Sequence, residues 1–191
     1  MIPVYRGVVT LQLPFQPPVE PMLAKASSEL PSEGTGYVYE PKWDGFRALV
    51  WKSGDEVYIQ SRDLKPLGRY FPELEAALRA GLPDRCVLDG EIVIATAGRL
   101  DFDALLLRIH PAASRIRKLA AESPASFIVF DLLVDAKGKS LVARPLAERR
   151  AALEAFVAAE VPSSLRIKLS PATTKMATVK RWFRSVGGGL D

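Results

Sequence analysis

The sequence predicts an α+β fold, a mainly antiparallel sheet flanked by helices. Three observations carry this prediction. Short β-rich runs recur along the chain, and two of them are separated by the turn pair Gly54-Asp55. Between other such runs lie segments whose apolar residues fall at helical spacing. Finally, 191 residues that are 48% hydrophobic and 25% charged have the length and composition of one folded domain, which excludes a wholly disordered chain.

In chain order, residues 1–24 read as a proline-rich arm. Pro3, Pro14, Pro17, Pro18 and Pro21 forbid regular helix and interior strand there, so an extended arm lying on the domain, or a partly disordered one, is expected. The domain proper is expected from residue 25 to 191. Residues 37–42 read as a strand that Gly45 breaks. Residues 46–51 and 57–61 then form a meander across the Gly54-Asp55 turn. Phe71-Pro72 opens a helix that Gly81 stops, because proline suits the first helical turn. Residues 86–95 are β-rich with an interruption at Asp89-Gly90. Asp101 suits the N-cap of a helix reaching His110, with Phe102, Leu105 and Ile109 on one face. Residues 115–122 continue as helix, and residues 126–133 are apolar enough for an inner strand. Residues 145–160 form a helix with Leu146, Leu153, Phe156 and Val157 inside and Glu148 and Arg149 outside. A strand over 165–169 and a basic helix over 174–185, ended by glycines, complete the pattern.

Charge and cysteine usage narrow the partners. Residues 1–110 hold 12 Lys and Arg against 15 Asp and Glu, whereas residues 111–191 hold 14 against 7. A basic second half suits a polyanion such as nucleic acid or nucleotide, and equally a solvated surface with no partner. No run of about 18 apolar residues appears, so no membrane-spanning helix is expected. No secretion signal is visible, and the single Cys86 excludes an internal disulfide and a thiolate metal cluster. A reducing cytoplasm is the expected location.

The chemistry concentrates in Glu40-Pro41-Lys42-Trp43-Asp44-Gly45-Phe46-Arg47. In extended chain alternate side chains share a face, so Glu40, Lys42 and Asp44 point one way and Arg47 starts the next strand. A lysine amine is a weak nucleophile at its free pKa of about 10.4. Burial and nearby cations favour its neutral form, and carboxylates oppose this. Spacing alone fits a surface ion-pair strand as well as a nucleophile.

Lys42 to Arg47 resembles the K-x-D-G-x-R signature of the covalent nucleotidyltransferases, which comprise ATP-dependent DNA ligases, RNA ligases and mRNA capping enzymes. Ser61-Arg62-Asp63, Val87-Leu88-Asp89-Gly90-Glu91-Ile92-Val93 and Phe127-Ile128-Val129-Phe130-Asp131-Leu132-Leu133 resemble the family's next three segments, in family order. Pro21-Met22-Leu23-Ala24 and the stretch from Leu100 to Ala113 resemble bacterial ATP-dependent DNA ligases of the repair type. The likeness runs from about residue 17 to the C-terminus.

This resemblance implies a partial nucleotidyltransferase (ATP-grasp-like) adenylation domain and a role for each matching position. Lys42 would attack the α-phosphate of ATP and carry AMP as a phosphoamide. Glu40 would lie beside the adenine, and Arg47 and Arg62 would hold ribose and phosphates, for which a planar guanidinium suits. Glu91 would bind a ribose hydroxyl or a metal, and Phe130 would stack on the purine. Mg²⁺ or Mn²⁺ would accompany the ATP. Asp191 would match the first residue of the family's next segment, a metal-associated carboxylate. The rest of that segment and the OB-fold domain would then be absent, to be supplied by a missing C-terminal region or by a separate chain. The implied partner is nicked duplex DNA, with no membrane involved.

Structural alternatives stand beside these roles: Phe130 packed in the core, or Asp89 and Glu91 merely flanking a turn. Functional alternatives are an RNA ligase, a capping-type transferase, or a non-catalytic nucleic-acid- or nucleotide-binding fragment. Gly138-Lys139-Ser140 ends like a phosphate-binding loop but lacks the glycine five residues earlier, where Leu133 stands. His110, the only histidine, reads as a helix-end residue, and Cys86 as a buried thiol.

Overall fold

The computed structural model describes residues 11–23, 25, 27, 29, 31 and 36–185. Asp191 and the glycines expected to end the last helix lie outside these residues.

A five-stranded sheet organises the chain. Strands β1 (Phe46–Ser53) and β2 (Glu56–Ser61) form the expected hairpin across Gly54, whose φ of +56° a side chain would resist. Helix α1 (Pro72–Gly81) follows, then β3 (Arg85–Val93), which runs unbroken through Asp89-Gly90. The expected interruption survives only as a register shift between Asp89 and Gly90 in the pairing with the later strand β6 (Ser126–Val134). A small hairpin, β4 (Ala95–Thr96) and β5 (Arg99–Leu100), turns over Ala97 and Gly98, both at positive φ. Helices α2 (Phe102–Leu106) and α3 (Ala113–Glu122) precede β6. Helix α4 (Leu146–Glu160), strand β7 (Ile167–Leu169) and helix α5 (Met176–Ser185) complete the order. The strands lie β2-β1-β3-β6-β7, antiparallel except for the parallel β6–β7 pair, whose crossover contains α4.

Both faces of the sheet are covered. On one face Ala48, Val50, Ile59, Leu88, Ile92 and Phe127 pack with Leu74 and Leu78 of α1 and Leu153 and Phe156 of α4. On the other, Leu49, Trp51, Val87 and Val134 meet the N-terminal arm, which supplies Leu11, Leu13, Phe15 and Val19. Phe15 lies edge-on to Trp51 with ring centroids 5.3 Å apart. The fully buried Gln60 amide pairs with the arm's main chain, accepting from Val19 N at 3.0 Å and donating to Val19 O at 2.6 Å. Double coverage makes β1 buried at five consecutive positions, Ala48 to Lys52, where one-sided burial would alternate.

Four expectations are corrected. Residues 37–42 form no ladder: Tyr39 makes one antiparallel bridge to Thr173, with bonds of 2.8 and 2.9 Å. The helix begun at Asp101, whose carboxylate accepts from Ala104 N at 2.9 Å, ends at Leu106. It stops because Arg108 turns inward and is fully buried, donating to Tyr70 O at 3.1 Å and Ser123 O at 3.2 Å and pairing with Glu73. His110, at φ +68° and followed by Pro111, cannot continue a helix. Arg149 is buried, contrary to its expected place outside α4, because it answers a buried carboxylate of the sheet. Leu146 is exposed, since it sits in the first turn of α4, beyond the cover of the sheet.

Gly90 sits where the close approach of β6 admits no side chain. A Cβ there would lie 2.6 Å from the Phe127 ring and against the Ile128 carbonyl. We expect Gly90→Ala to lower unfolding free energy in urea by about 2–3 kcal/mol or more through overpacking. A loss below about 0.5 kcal/mol would contradict this packing.

Candidate active site

The charged cluster is built on the face of the sheet that also carries the arm, at the end of β1 beyond Leu49 and Trp51. Arg47 shares the face of Leu49 and Trp51 by alternation along β1, and stands opposite Glu91 of β3. Leu49 stands opposite Asp89, and Asp89 opposite Asp131 of β6. The sheet thus places Arg47, Asp89, Glu91 and Asp131 together on three adjacent strands.

Two aspartates face each other directly, which like charges in a sheet resist. Each is answered by one arginine. Arg47 grips Asp89 with both arms of its fork, Nε to Oδ1 at 2.9 Å and Nη2 to Oδ2 at 2.8 Å. Arg149 grips Asp131 likewise, Nε to Oδ1 and Nη2 to Oδ2 both at 2.9 Å, and also donates to Arg144 O at 2.7 Å. Burial pushes the Asp89 carboxyl above its ordinary value, and the Arg47 bonds offset only part of this. The Arg47 guanidinium in turn lies over the Phe130 ring, 4.9 Å from its centroid. Phe130 is half-buried between the buried Val129 and Asp131, so it is not the core residue that an apolar strand would suggest.

Lys42 and Asp44 precede β1 and are exposed, while the alternating Pro41 and Trp43 are half-buried. This alternation puts Glu40, Lys42 and Asp44 on one side, as extended chain requires. The Trp43 indole N–H donates to Ser170 Oγ at 3.0 Å and anchors the segment against the chain that follows β7. The charges of both Lys42 and Asp44 reach Glu91. Burial raises the Glu91 carboxyl to about 7, with Arg47 and Lys42 pulling it down and Asp89 and Asp44 pushing it up.

Arg62 is exposed in the loop after β2 and lines a cavity of about 640 Å³ with Arg47 and Glu91. The structure therefore brings Arg47, Glu91 and Phe130 together, leaves Lys42 exposed within electrostatic reach of Glu91, and places Arg62 across a shared cavity. Glu40 is held elsewhere on the same side: Arg150 Nη1 donates to its Oε1 at 2.9 Å. Burial raises the Glu40 carboxyl, and Arg150 counters it. Arg150 also donates to Ser170 O at 2.8 Å and Glu154 Oε1 at 2.7 Å. Sequence reading missed Arg149, Arg150 and the partner role of Asp131. The Arg149-Arg150 pair within an amphipathic helix was the available signal, but its partners lie 18 and 110 residues away.

The remaining motifs resolve simply. Gly138-Lys139-Ser140 belongs to a tight turn capped by Asp135 Oδ1, which accepts from Lys137 N and Lys139 N at 2.9 Å, so it is no phosphate loop. Cys86 is buried among apolar residues, which pushes its thiol up to about 12 and makes it inert.

This arrangement of sheet and charges is the fold of ligase nucleotidyltransferase domains. The chain belongs to the ATP dependent DNA ligase domain family, whose family model matches residues 21–188. It is 54% identical over 183 residues to DNA ligase C of Mycobacterium tuberculosis, covering 95% of this chain and 50% of that protein. It is 50% identical over 182 residues to DNA ligase C2 of Mycolicibacterium smegmatis, covering 95% and 49%. The chain thus spans about half the length of the curated relatives it matches. Among solved structures it resembles a mycobacterial DNA ligase D complexed with ATP and MES, at a TM-score of 0.65 and 26% identity over 88% of this chain and 51% of that one. Among the described residues no helix is long and apolar enough to cross a membrane.

The Glu91 carboxyl yields a signed pH prediction. The folded state holds its proton up to about 7, against an ordinary value of 4.5. Between these values the folded state binds more protons than the unfolded one, so this group's contribution to stability falls as pH rises through that window. Thermal unfolding should show wild type losing Tm relative to Glu91→Gln between pH 5 and 7.5. A wild-type-minus-variant difference that stays flat across this window would refute the assignment.

Proposed function

We propose that this chain carries the self-adenylation step of an ATP-dependent DNA ligase. The Lys42 Nζ lone pair attacks the α-phosphorus of ATP, an N–P bond forms, and the bridging P–O bond breaks to release pyrophosphate. The amine sheds its protons to solvent or a nearby carboxylate, leaving AMP joined to Lys42 as a phosphoamide. Passing that AMP to the 5′-phosphate of nicked duplex DNA, so that the nick can be sealed in repair or recombination, is the further role we infer for the whole ligase.

The observation that supports this reading is that Arg47, lying over Phe130, and Glu91 stand together where the charge of Lys42 also reaches Glu91. The roles are those that the family resemblance implies, and the geometry is compatible with them. Phe130, half-buried beneath Arg47, would stack on the purine, and Glu40, held by Arg150, would read the base edge. Arg47 and Arg62 flank the shared cavity as donors for ribose and phosphate oxygens. Holding such donors in place before reaction is how a site stabilises charge that grows on phosphate. The ATP named in the DNA ligase D structure, and the DNA ligases among the relatives, support ATP and DNA over the GTP and RNA readings.

Glu91 fits a divalent cation, being a hard oxygen donor on this face. Among the described residues no cluster of three or more His, Cys, Asp or Glu could hold a metal alone. A cation at Glu91 would therefore complete its shell with phosphate oxygens and water, the usual habit of Mg²⁺. Mg²⁺ or Mn²⁺ so bound would neutralise charge on the phosphates. A share of this work for Asp191 is part of the proposal by sequence alone.

Incubation with α-labelled ATP and Mg²⁺, followed by a denaturing gel, tests the reading. Label should remain on the protein through denaturation and vanish entirely in Lys42→Ala. Arg47→Ala should slow labelling by about 10²–10³-fold, the usual cost of one preorganised donor. Label retained in Lys42→Ala, or none on the wild-type chain, would defeat the proposal.

A further inference from the structure

We propose that Arg150 of α4 is a positioning residue for purine selection. It holds the Glu40 carboxylate in place as a hydrogen-bond acceptor, which admits a 6-amino purine and turns away a 6-oxo one. The inference deepens the adenylation reading and rests on it for the nucleotide and for the role of Glu40. Arg150 belongs to none of the sequence motifs, and its place follows from the contacts it makes.

Every nitrogen of the Arg150 guanidinium donates. Nη1 bonds to Glu40 Oε1 at 2.9 Å, Nη2 to the Ser170 main-chain oxygen at 2.8 Å, and Nε to Glu154 Oε1 at 2.7 Å. The Arg150 side chain is only 11% exposed, so water screens these bonds little. A planar fork tied at three corners has one orientation, and the carboxylate it grips takes its place from that orientation. The Ser170 end is fixed by the sheet. Ser170 is fully buried, and its N–H donates to Val129 O at 2.8 Å, just past the end of β7. The arginine that holds Glu40 is therefore anchored beside the neighbour of Phe130, the ring proposed for the purine. The charge of Asp131, on the other side of Phe130, also reaches Glu40. Ser170 ties the far side of the lysine as well, since its Oγ accepts from the Trp43 indole at 3.0 Å. Glu40 and Trp43 flank Lys42, so the base-reading carboxylate and the amine share one buried point of reference.

The chemistry of the carboxylate then decides which base edge it takes. An ionised carboxylate only accepts hydrogen bonds, and its two oxygens have room for several donors. The bond to Arg150 thus leaves capacity for an exocyclic amine. The amino group at C6 of adenine donates. The carbonyl at C6 of hypoxanthine or guanine accepts, and meets the carboxylate lone pair against lone pair. This discrimination holds while Glu40 is ionised. Burial favours the protonated form, Arg150 opposes it, and the charges of Asp131 and Glu154 side with burial. Without Arg150, a protonated Glu40 would donate to a 6-oxo group, and an untethered one would follow either base. Selection lapses in both cases.

Equilibrium dialysis of labelled ATP and ITP against the full 191-residue chain tests this, in EDTA to withhold the divalent cation. ITP has the same ribose and phosphates and differs only in its C6 oxygen and the N1 proton that comes with it. Wild type should prefer ATP by about tenfold or more, the usual worth of a bond to a charged group. Arg150→Ala should bring the two Kd values to within about threefold of each other, chiefly by weakening ATP. Arg150→Lys, which returns a cation without the fork, should regain part of the preference. Glu40→Gln, whose amide donates as well as accepts, should erase the preference with Arg150 in place. An arginine that merely propped the fold would weaken both nucleotides alike. The proposal is overturned by a wild type without preference. It is equally overturned if Arg150→Ala, with circular dichroism unchanged, keeps the ATP-to-ITP ratio within about twofold of wild type. A chain that shows the Arg150-dependent preference in EDTA, yet takes no label on Lys42 when Mg²⁺ is supplied, would sustain this role and defeat only the adenylation step.

Discussion

Two carboxylates standing face to face on neighbouring strands are the constraint around which this protein is arranged. Asp89 and Asp131 are paired in register and largely buried. Left alone, each would force the other to keep its proton, and the centre of the sheet would repel itself. The fold answers with an arginine from each flank, Arg47 from β1 and Arg149 from α4. Because each arginine uses both arms of its fork, its orientation is settled as well as its charge. Arg47 is thereby set across the Phe130 ring, and α4 is docked to the sheet by a polar bond in addition to the contacts of Leu153 and Phe156. Removing one arginine would leave a buried charge uncompensated, which usually costs about 3–5 kcal/mol.

Helix α4 therefore has two jobs in adjacent residues. Arg149 neutralises the sheet, and Arg150 reaches out to Glu40, Glu154 and the Ser170 carbonyl. The segment before Lys42 is otherwise weakly tied, with one bridge at Tyr39 and the indole bond from Trp43. Its position depends on the helix and on the chain after β7 rather than on a ladder of its own. An extended segment held at a few points can present alternate side chains to a cleft while its main chain stays outside the sheet.

Much of this was legible in the sequence, and the failures share one cause. The β-rich runs at 46–53, 56–61, 85–93 and 126–134 and the helices at 72–81 and 146–160 were visible, because periodicity and turn residues are local signals. The nucleotidyltransferase motifs were legible too, and the structure gathers Arg47, Glu91 and Phe130 on one face. What escaped was every buried arginine. Arg108, Arg149 and Arg150 each have at least one partner 15 to 110 residues distant, and a charged residue on a helix reads as solvated unless its partner is known. The parallel placement of β7 and the loss of the strand at residues 37–42 are likewise matters of long-range pairing. The early end of α2 followed from Arg108 turning inward, which the apolar spacing of Leu105 and Ile109 concealed.

The arm bears on how the chain tolerates processing. Leu11, Phe15 and Val19 form a roof over Trp51, Leu49 and Val87, and the Gln60 amide is satisfied by Val19 alone. A protease that clipped this roof would uncover a contiguous oily surface on the central strands and strand a buried amide without partners. The trimmed protein would self-associate instead of remaining dispersed. Although it carries none of the residues proposed for chemistry, the arm keeps that apolar surface from water.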